Sequence, residues 1–174
     1  FGQRAQEAVE VGHEIAPVLV IGGVELGKLE HGGIGGIILK TTNGGINWIS
    51  QLNGTARRLQ GLSVTDANNG ITVGENGTIL RTTNGGTNWI SQTSGTTHSL
   101  FGVSFTNANN GTAVGDGGLI LKTTNGGITW VLQASGTSDG LRAVSFTDAN
   151  NGIAVGAYGT ILKTTNGGTT WTRQ

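Results

Sequence analysis

The sequence predicts an all-β protein, a β-propeller of about four four-stranded blades. Three observations carry that reading. The string TTNGG, followed after two residues by Trp, occurs four times, ending at Trp48, Trp89, Trp130 and Trp171, each 41 residues after the last with no insertion or deletion. Between these marks apolar residues alternate with a period of two, as in half-buried strands. Gly accounts for 33 of 174 residues and falls at fixed places in the period, which indicates repeated tight turns rather than a linker.

Each complete unit reads as four short strands. The first carries Leu62 and Val64, Val103 and Phe105, or Val144 and Phe146, after a leading Leu59, Leu100 or Leu141. The turn TDANNG or TNANNG follows, then a second strand, ITVG, TAVG or IAVG. A variable two-residue turn comes next: Glu75-Asn76, Asp116-Gly117 or Ala157-Tyr158. The third strand is GTILRT, GLILKT or GTILKT, and NGG turns the chain into a fourth strand that begins near the Trp. Asn-Gly turns between alternating runs favour antiparallel hairpins. Helical repeats of similar length would show apolar spacings of three and four with little Gly, the reverse of what is present. One blade cannot cover both of its faces, so about 40 residues per four strands, repeated, predicts radial stacking. The units run over about 18–58, 59–99, 100–140 and 141–174. The first is eroded, keeping GGIILKTTNGGINW but having ELGKLEHGG where the others have DANNG and the VG strand.

The motif T-x-N-x-G-x-x-W resembles the Asp box, S/T-x-D-x-G-x-T-W, of the bacterial neuraminidase repeat. With its surroundings, L..V.F and then G.AVG..G.I..T.NGG..W, the chain is similar to the propellers of the photosystem II assembly and stability factor family, well over residues 59–171 and partly over 35–48. The resemblance implies a propeller fold, an assembly-factor role in protein complexes, and boxes that are structural and lie away from the binding face. The box residues are Thr41, Asn43, Gly45 and Trp48; Thr82, Asn84, Gly86 and Trp89; Thr123, Asn125, Gly127 and Trp130; Thr164, Asn166, Gly168 and Trp171. Their chemistry points the same way. Asn accepts hydrogen bonds from its own turn, Gly takes positive φ without steric cost, Thr ties the strand end to the turn, and Trp wedges between neighbouring blades.

In a blade running in, out, in and out, the DANNG and NGG turns share one face. The turn after VG and the link to the next blade share the other. NGG is identical in four units and ANNG in three, whereas GENG, GDGG and GAYG differ, as do GTARRLQ, GTTHSLF and GTSDGLR. A protein or glycan ligand is therefore expected on the variable face, at Arg57, Arg58, Glu75, His98, Asp116, Asp139, Arg142 and Tyr158. Unconstrained drift of exposed turns predicts the same variability. The cations before each box, Lys40, Arg81, Lys122 and Lys163, are expected on the solvated side of the third strand, serving solubility.

No enzyme, metal or cofactor is expected. A sialidase needs an arginine cluster, a Tyr nucleophile with a carboxylate partner and an acid; Tyr158 is the only Tyr, and four units fall short of a six-bladed sialidase. His13, His31 and His98 lack ligand spacing, and there is no Cys. DANNG resembles the start of a calcium loop, but Asn107 replaces the Asp in the middle copy and no Glu closes the loop. GGIGG at 32–36 lacks the Lys-Ser/Thr of a phosphate loop. Ten basic and ten acidic residues cancel, which gives no electrostatic basis for nucleic acid. The longest apolar run, from Ile15 to Val24, is about half of the roughly 20 residues a membrane span requires. With a charge-poor Thr/Asn/Gly surface and no Met even at position 1, the sequence reads as a processed mature chain or a portion of a longer one. It is expected to be extracellular or at the cell surface, with periplasm or thylakoid lumen as alternatives.

Residues 1–34 form an arm outside the repeat, and 35–174 hold the propeller units. In the arm AQEAVEVGHEI suits a short amphipathic helix and PVLVIGG a strand, with the only Pro at position 17. The arm either completes the eroded first blade or docks on a neighbouring molecule. Docking would make the protein a self-assembling filament or surface-polymer subunit.

Overall fold

The computed structural model describes residues 20–21, 24–27 and 36–174, the first six of these as backbone alone. The chain forms four antiparallel four-stranded sheets, each a blade. The first holds β1 (Val20–Ile21), β2 (Val24–Gly27), β3 (Ile37–Lys40) and β4 (Ile49–Gln51). The second holds β5 (Leu59–Val64), β6 (Gly70–Gly74), β7 (Ile79–Thr82) and β8 (Ile90–Gln92). The third holds β9 (Leu100–Phe105), β10 (Gly111–Gly115), β11 (Ile120–Thr123) and β12 (Val131–Gln133). The fourth holds β13 (Leu141–Phe146), β14 (Gly152–Gly156), β15 (Ile161–Thr164) and β16 (Thr172–Arg173). Within a blade every neighbour in sequence is a neighbour in space, an up-and-down meander. The first strands lie against one another, β5 beside β9 and β9 beside β13, so they form the inner wall. The array is an open, partial propeller.

Period-two alternation gives each blade a leading face, toward the next blade, and a trailing face, toward the previous one. Ile71, Val73 and Ile79 on the leading face of the second blade pack against Leu100, Val103, Ala113 and Leu121 on the trailing face of the third. Val114 and Ile120 repeat the arrangement against Leu141, Val144, Ala154, Leu162 and Trp171. Ile38 does so against Leu62, Leu80 and Trp89. Each fully covered aliphatic side chain contributes about 1.5–3 kcal/mol, so these three seams, rather than any single core, hold the array together. The inner strands approach so closely that a Cβ on Gly61 would stand 3.0 Å from the Phe101 carbonyl, and one on Gly102 would stand 3.1 Å from the Ala143 Cα.

The box geometry repeats four times. Thr41, Thr82, Thr123 and Thr164 each donate from Oγ1 to the Oδ1 of the Asn two residues on, at 3.0 Å. The same hydroxyls accept from the amides of Gly45, Gly86, Gly127 and Gly168 at 2.9 Å. Asn Oδ1 in turn accepts from the amide four residues ahead, at 2.9 Å in the first box and 3.0 Å in the others. Both glycines of every NGG have positive φ. The indoles of Trp89, Trp130 and Trp171 lie in the three seams. Trp130 meets Phe105 edge-on at 6.1 Å and Trp171 meets Phe146 at 5.9 Å. Their Nε1 atoms donate to Gly127 O and Gly168 O.

The cations before the boxes do not simply face solvent, and here the expectation is corrected. Lys40 Nζ donates to Gly85 O at 2.6 Å, and Arg81 Nε donates to Gly126 O at 2.8 Å. Lys122 Nζ reaches Thr169 Oγ1 at 3.1 Å. Each spans a seam to the NGG turn of the next blade. Strand alternation places the cation in one row with Ile38, Ile79 or Ile120, on the side that faces the next blade and not on a solvated side. A long side chain at the edge of a stacked sheet can then lie across its neighbour and carry its charge to a carbonyl there. The expected helix at 5–15, Pro17, His13, His31 and GGIGG up to residue 35 lie outside the described residues.

Candidate functional site

Two faces result from this meander. On one, the NGG turn is hydrogen-bonded to the DANNG turn of its own blade: Gly85 N to Asn68 O, Gly126 N to Asn109 O and Gly167 N to Asn150 O, at 2.8–2.9 Å. The polar side chains there serve the turns themselves. Asp66 Oδ1 accepts from the amides of Asn68 and Asn69, and Asp148 Oδ1 from those of Asn150 and Asn151. These bonds, with the Asn69 and Asn151 side chains foremost, hold both carboxyls below their ordinary range, Asp148 at about 2. Asn107 makes the same amide contacts without charge.

On the other face the turn after VG is a short 3-10 turn at Glu75–Gly77, Asp116–Gly118 and Ala157–Gly159. It is tied to the incoming link by Glu75 N to Arg58 O, Asp116 N to Ser99 O and Ala157 N to Gly140 O, each 2.9 Å. That backbone tie leaves the side chains free to differ, and it gathers most of the expected residues into neighbouring groups. Arg58 Nε lies 3.8 Å from Glu75 Oε1. The Arg57 guanidinium faces the side-chain oxygen of Asn76, 3.1 Å from Nη2, while the Asn76 amide nitrogen faces Thr97 O at 3.2 Å. Asn76 thereby joins two successive links. His98 stands over Gly117, its imidazole 3.6 Å from where a Cβ on that glycine would lie. Asp116 Oδ1 and the Arg142 guanidinium both border Gly140.

Arg142 also stacks on the Phe101 ring at 4.2 Å, a cation–π contact that fixes its guanidinium plane. Phe101 was not among the residues expected from sequence. Its signal was its place as the only aromatic at the second position of an inner strand, where the other blades have Gln60 and Arg142.

Two of the expected residues stand apart. Asp139 is occupied internally: its Oδ2 accepts from Thr160 Oγ1 at 2.6 Å and lies 3.5 Å from Arg173 Nη1. The Thr160 hydroxyl first, and Arg173 after it, lower its carboxyl pKa. Tyr158 is 90% exposed and has φ of 54°, unusual for a bulky residue. Among the described residues, the variable side chains form a surface. A polar cleft of about 190 Å³ lies on the opposite face between the third and fourth blades, lined by Thr112, Lys122, Asn150 and Asn166 among others. It opens where Thr112 and Lys122 replace the Ile71 and Arg81 that fill the preceding seam.

With the four boxes and the meander in place, comparison with known proteins decides the family. The model for the photosynthesis system II assembly factor YCF48 matches residues 47–133, half of the chain. The chain belongs to the YCF48 family. No curated protein sequence matches it. Among solved structures, YCF48 bound to a D1 peptide is 26% identical with a TM-score of 0.60, covering 66% of this chain and 38% of that one. YCF48 from Cyanidioschyzon merolae is 24% identical with a TM-score of 0.58, over 66% of this chain and 39% of that one. This chain thus spans about two fifths of the length of those YCF48 structures. A Niastella koreensis GH74 enzyme shares the propeller fold at 20% identity and a TM-score of 0.64, covering 86% of this chain and 27% of that chain. Among the described residues no helix is long and apolar enough to cross a membrane.

Proposed function

We propose that this chain acts as a non-enzymatic assembly-factor module that binds an extended peptide of a client protein. The binding surface is the variable-turn face around Arg57, Arg58, Glu75, His98, Asp116 and Arg142. The observation that carries the reading is membership of the YCF48 family, one solved member of which is bound to a D1 peptide. The chemistry of the face supports it. Guanidinium groups offer planar, paired donors suited to carboxylates and peptide carbonyls, and Glu75 and Asp116 provide acceptors beside them. The reading excludes Asp139, whose carboxylate already has partners, and excludes the NGG face, whose polar groups close their own turns. A working place outside the cytoplasm, in a periplasm or thylakoid lumen, suits the cysteine-free, charge-poor composition.

The test is fluorescence anisotropy with a labelled D1-derived peptide. Arg57→Glu with Arg58→Glu, and separately Arg142→Glu, are expected to weaken binding at least tenfold, and Asp66→Asn on the opposite face to leave it unchanged. Equal affinity in all variants, or no binding by the parent chain, refutes the assignment.

A further inference from the structure

The NGG face closes on its own turns except at one internal seam. Between the third and fourth blades its polar cleft measures about 190 Å³, against about 10 Å³ at the corresponding place between the second and third. One side chain makes much of the difference. Ile71 reaches across to the third blade, its Cδ1 2.7 Å from where a Cβ on Gly127 would lie. Thr112, one period later, points at Gly168 in the same way, its Oγ1 3.3 Å from the equivalent point. Thr112 is 2% exposed and lines the cleft, but its hydroxyl makes no hydrogen bond among the described residues. An unpartnered buried hydroxyl is unfavourable, and the blades on either side avoid it with Ile71 and Ile153.

Further departures from the repeat meet at the same place. Thr112 is directly opposed to Lys122 across β10 and β11, so the two side chains stand together on the face that lines the cleft. Where Arg81 ends on the Gly126 carbonyl, Lys122 ends on the neutral hydroxyl of Thr169, which passes its own proton to Asn166 O. Lys122 has no carboxylate partner among the described residues, and an ammonium group carries three donors. Ser63 Oγ accepts from Phe105 N, whereas Ser104, its copy in the cleft wall, makes no such bond. The turn beside that wall carries uncharged Asn107 where the other two have Asp66 and Asp148. The Asp148 carboxylate is committed to its own turn amides. Among the residues lining the cleft, Lys122 alone is charged.

We infer that this cleft binds the carboxylate of a small organic acid. One carboxylate oxygen accepts from the Lys122 ammonium, and the other from the Thr112 hydroxyl, which thereby gains its missing partner. A single cation matches a single negative charge. A phosphate dianion would be only half neutralised, and the turn amides suited to it are already bonded, Gly167 N to Asn150 O and Gly168 N to Thr164 Oγ1. The cleft lies on the opposite face from the variable turns, so this assignment and the peptide surface stand or fall separately.

Amide NMR of the 174-residue chain titrated with sodium acetate tests the site, with sodium chloride and acetamide as the charge-only and shape-only controls. Saturable shifts are expected at Asn150, Gly167 and Gly168, and none at their copies Asn109, Gly126 and Gly127. Thr112→Ile writes the neighbouring blades' residue into the third and should weaken acetate binding at least about tenfold by filling the cleft. Lys122→Gln keeps the stem, removes the charge and should weaken it by at least about the same factor. Shifts that rise without saturating overturn the inference, as do equal shifts with chloride or acetamide. Unchanged acetate affinity in either variant that keeps the parent's dispersed spectrum overturns it too.

Discussion

Ile120 and Ile161 occupy the same place in the same strand of adjacent blades, one sealed beneath Leu141 and Val144, the other facing outward. The repeat writes the same Val and Ile pair into the leading faces of the last three blades, Val73 and Ile79, Val114 and Ile120, Val155 and Ile161, and what differs between the last two pairs is whether a neighbour stands against them. A solenoid-like array stores its stability in such nearest-neighbour contacts, so equal residues carry unequal energy according to position. The sharpest way to break the comparison is to truncate both. Ile120→Ala should cost about 2–5 kcal/mol through lost burial and the cavity left behind, while Ile161→Ala costs below about 1 kcal/mol in dilute solution. Urea denaturation followed by Trp fluorescence measures both midpoints.

The cation at each seam gives a second, smaller contrast. Arg81→Ala removes the 2.8 Å bond to Gly126 O and the stem that fills the seam beneath it, and should cost about 1–2 kcal/mol. Lys163→Ala, at an exposed side chain that makes no seam bond among the described residues, should leave the unfolding midpoint of the 174-residue chain unchanged. Equal losses at both positions would mean that the side chains act through their own blades and not through the seam.

These contrasts also mark how far the sequence can be read. Local signals determined the blades: alternation placed the first strands within β5, β9 and β13, and Gly with Asn placed the turns between them. The division into a repeated face and a variable face followed from counting turns along a meander, which needs no knowledge of neighbours. The direction of Lys40, Arg81 and Lys122 was not legible, because it depends on a carbonyl or hydroxyl oxygen roughly one period away brought close only by stacking. The same limit hid Phe101, whose role comes from Arg142 on the next inner strand. Asp139 was chosen for its charge and variability, but its partner Thr160 becomes a neighbour only once β15 folds back beside the link. Non-local contacts thus account for what the sequence could not show, whereas period and turn chemistry carried the fold class.

The smallest expected effect lies within the face that does not vary. Asp66 and Asp148 close their turns with carboxylates whose folded pKa values are lowered, Asp148 to about 2, by the Asn side chain and the two turn amides each one accepts. A carboxyl with a lowered folded pKa stabilises the native turn above its unfolded pKa of about 3.9, and loses that contribution as pH falls through the folded value. As pH falls below about 4 and through these lowered folded values, about 2 for Asp148, the first and last of the three turns should therefore loosen. The middle turn, closed by uncharged Asn107 with the same geometry, has no such titration. Amide hydrogen exchange across that window should show falling protection at Asn68, Asn69, Asn150 and Asn151, with Asn109 and Asn110 unaffected. Asp66→Asn should give the first turn the acid resistance of the second. Parallel loss at all three turns would instead mean that the blades loosen together, and that the seams rather than the turn carboxylates set the acid response.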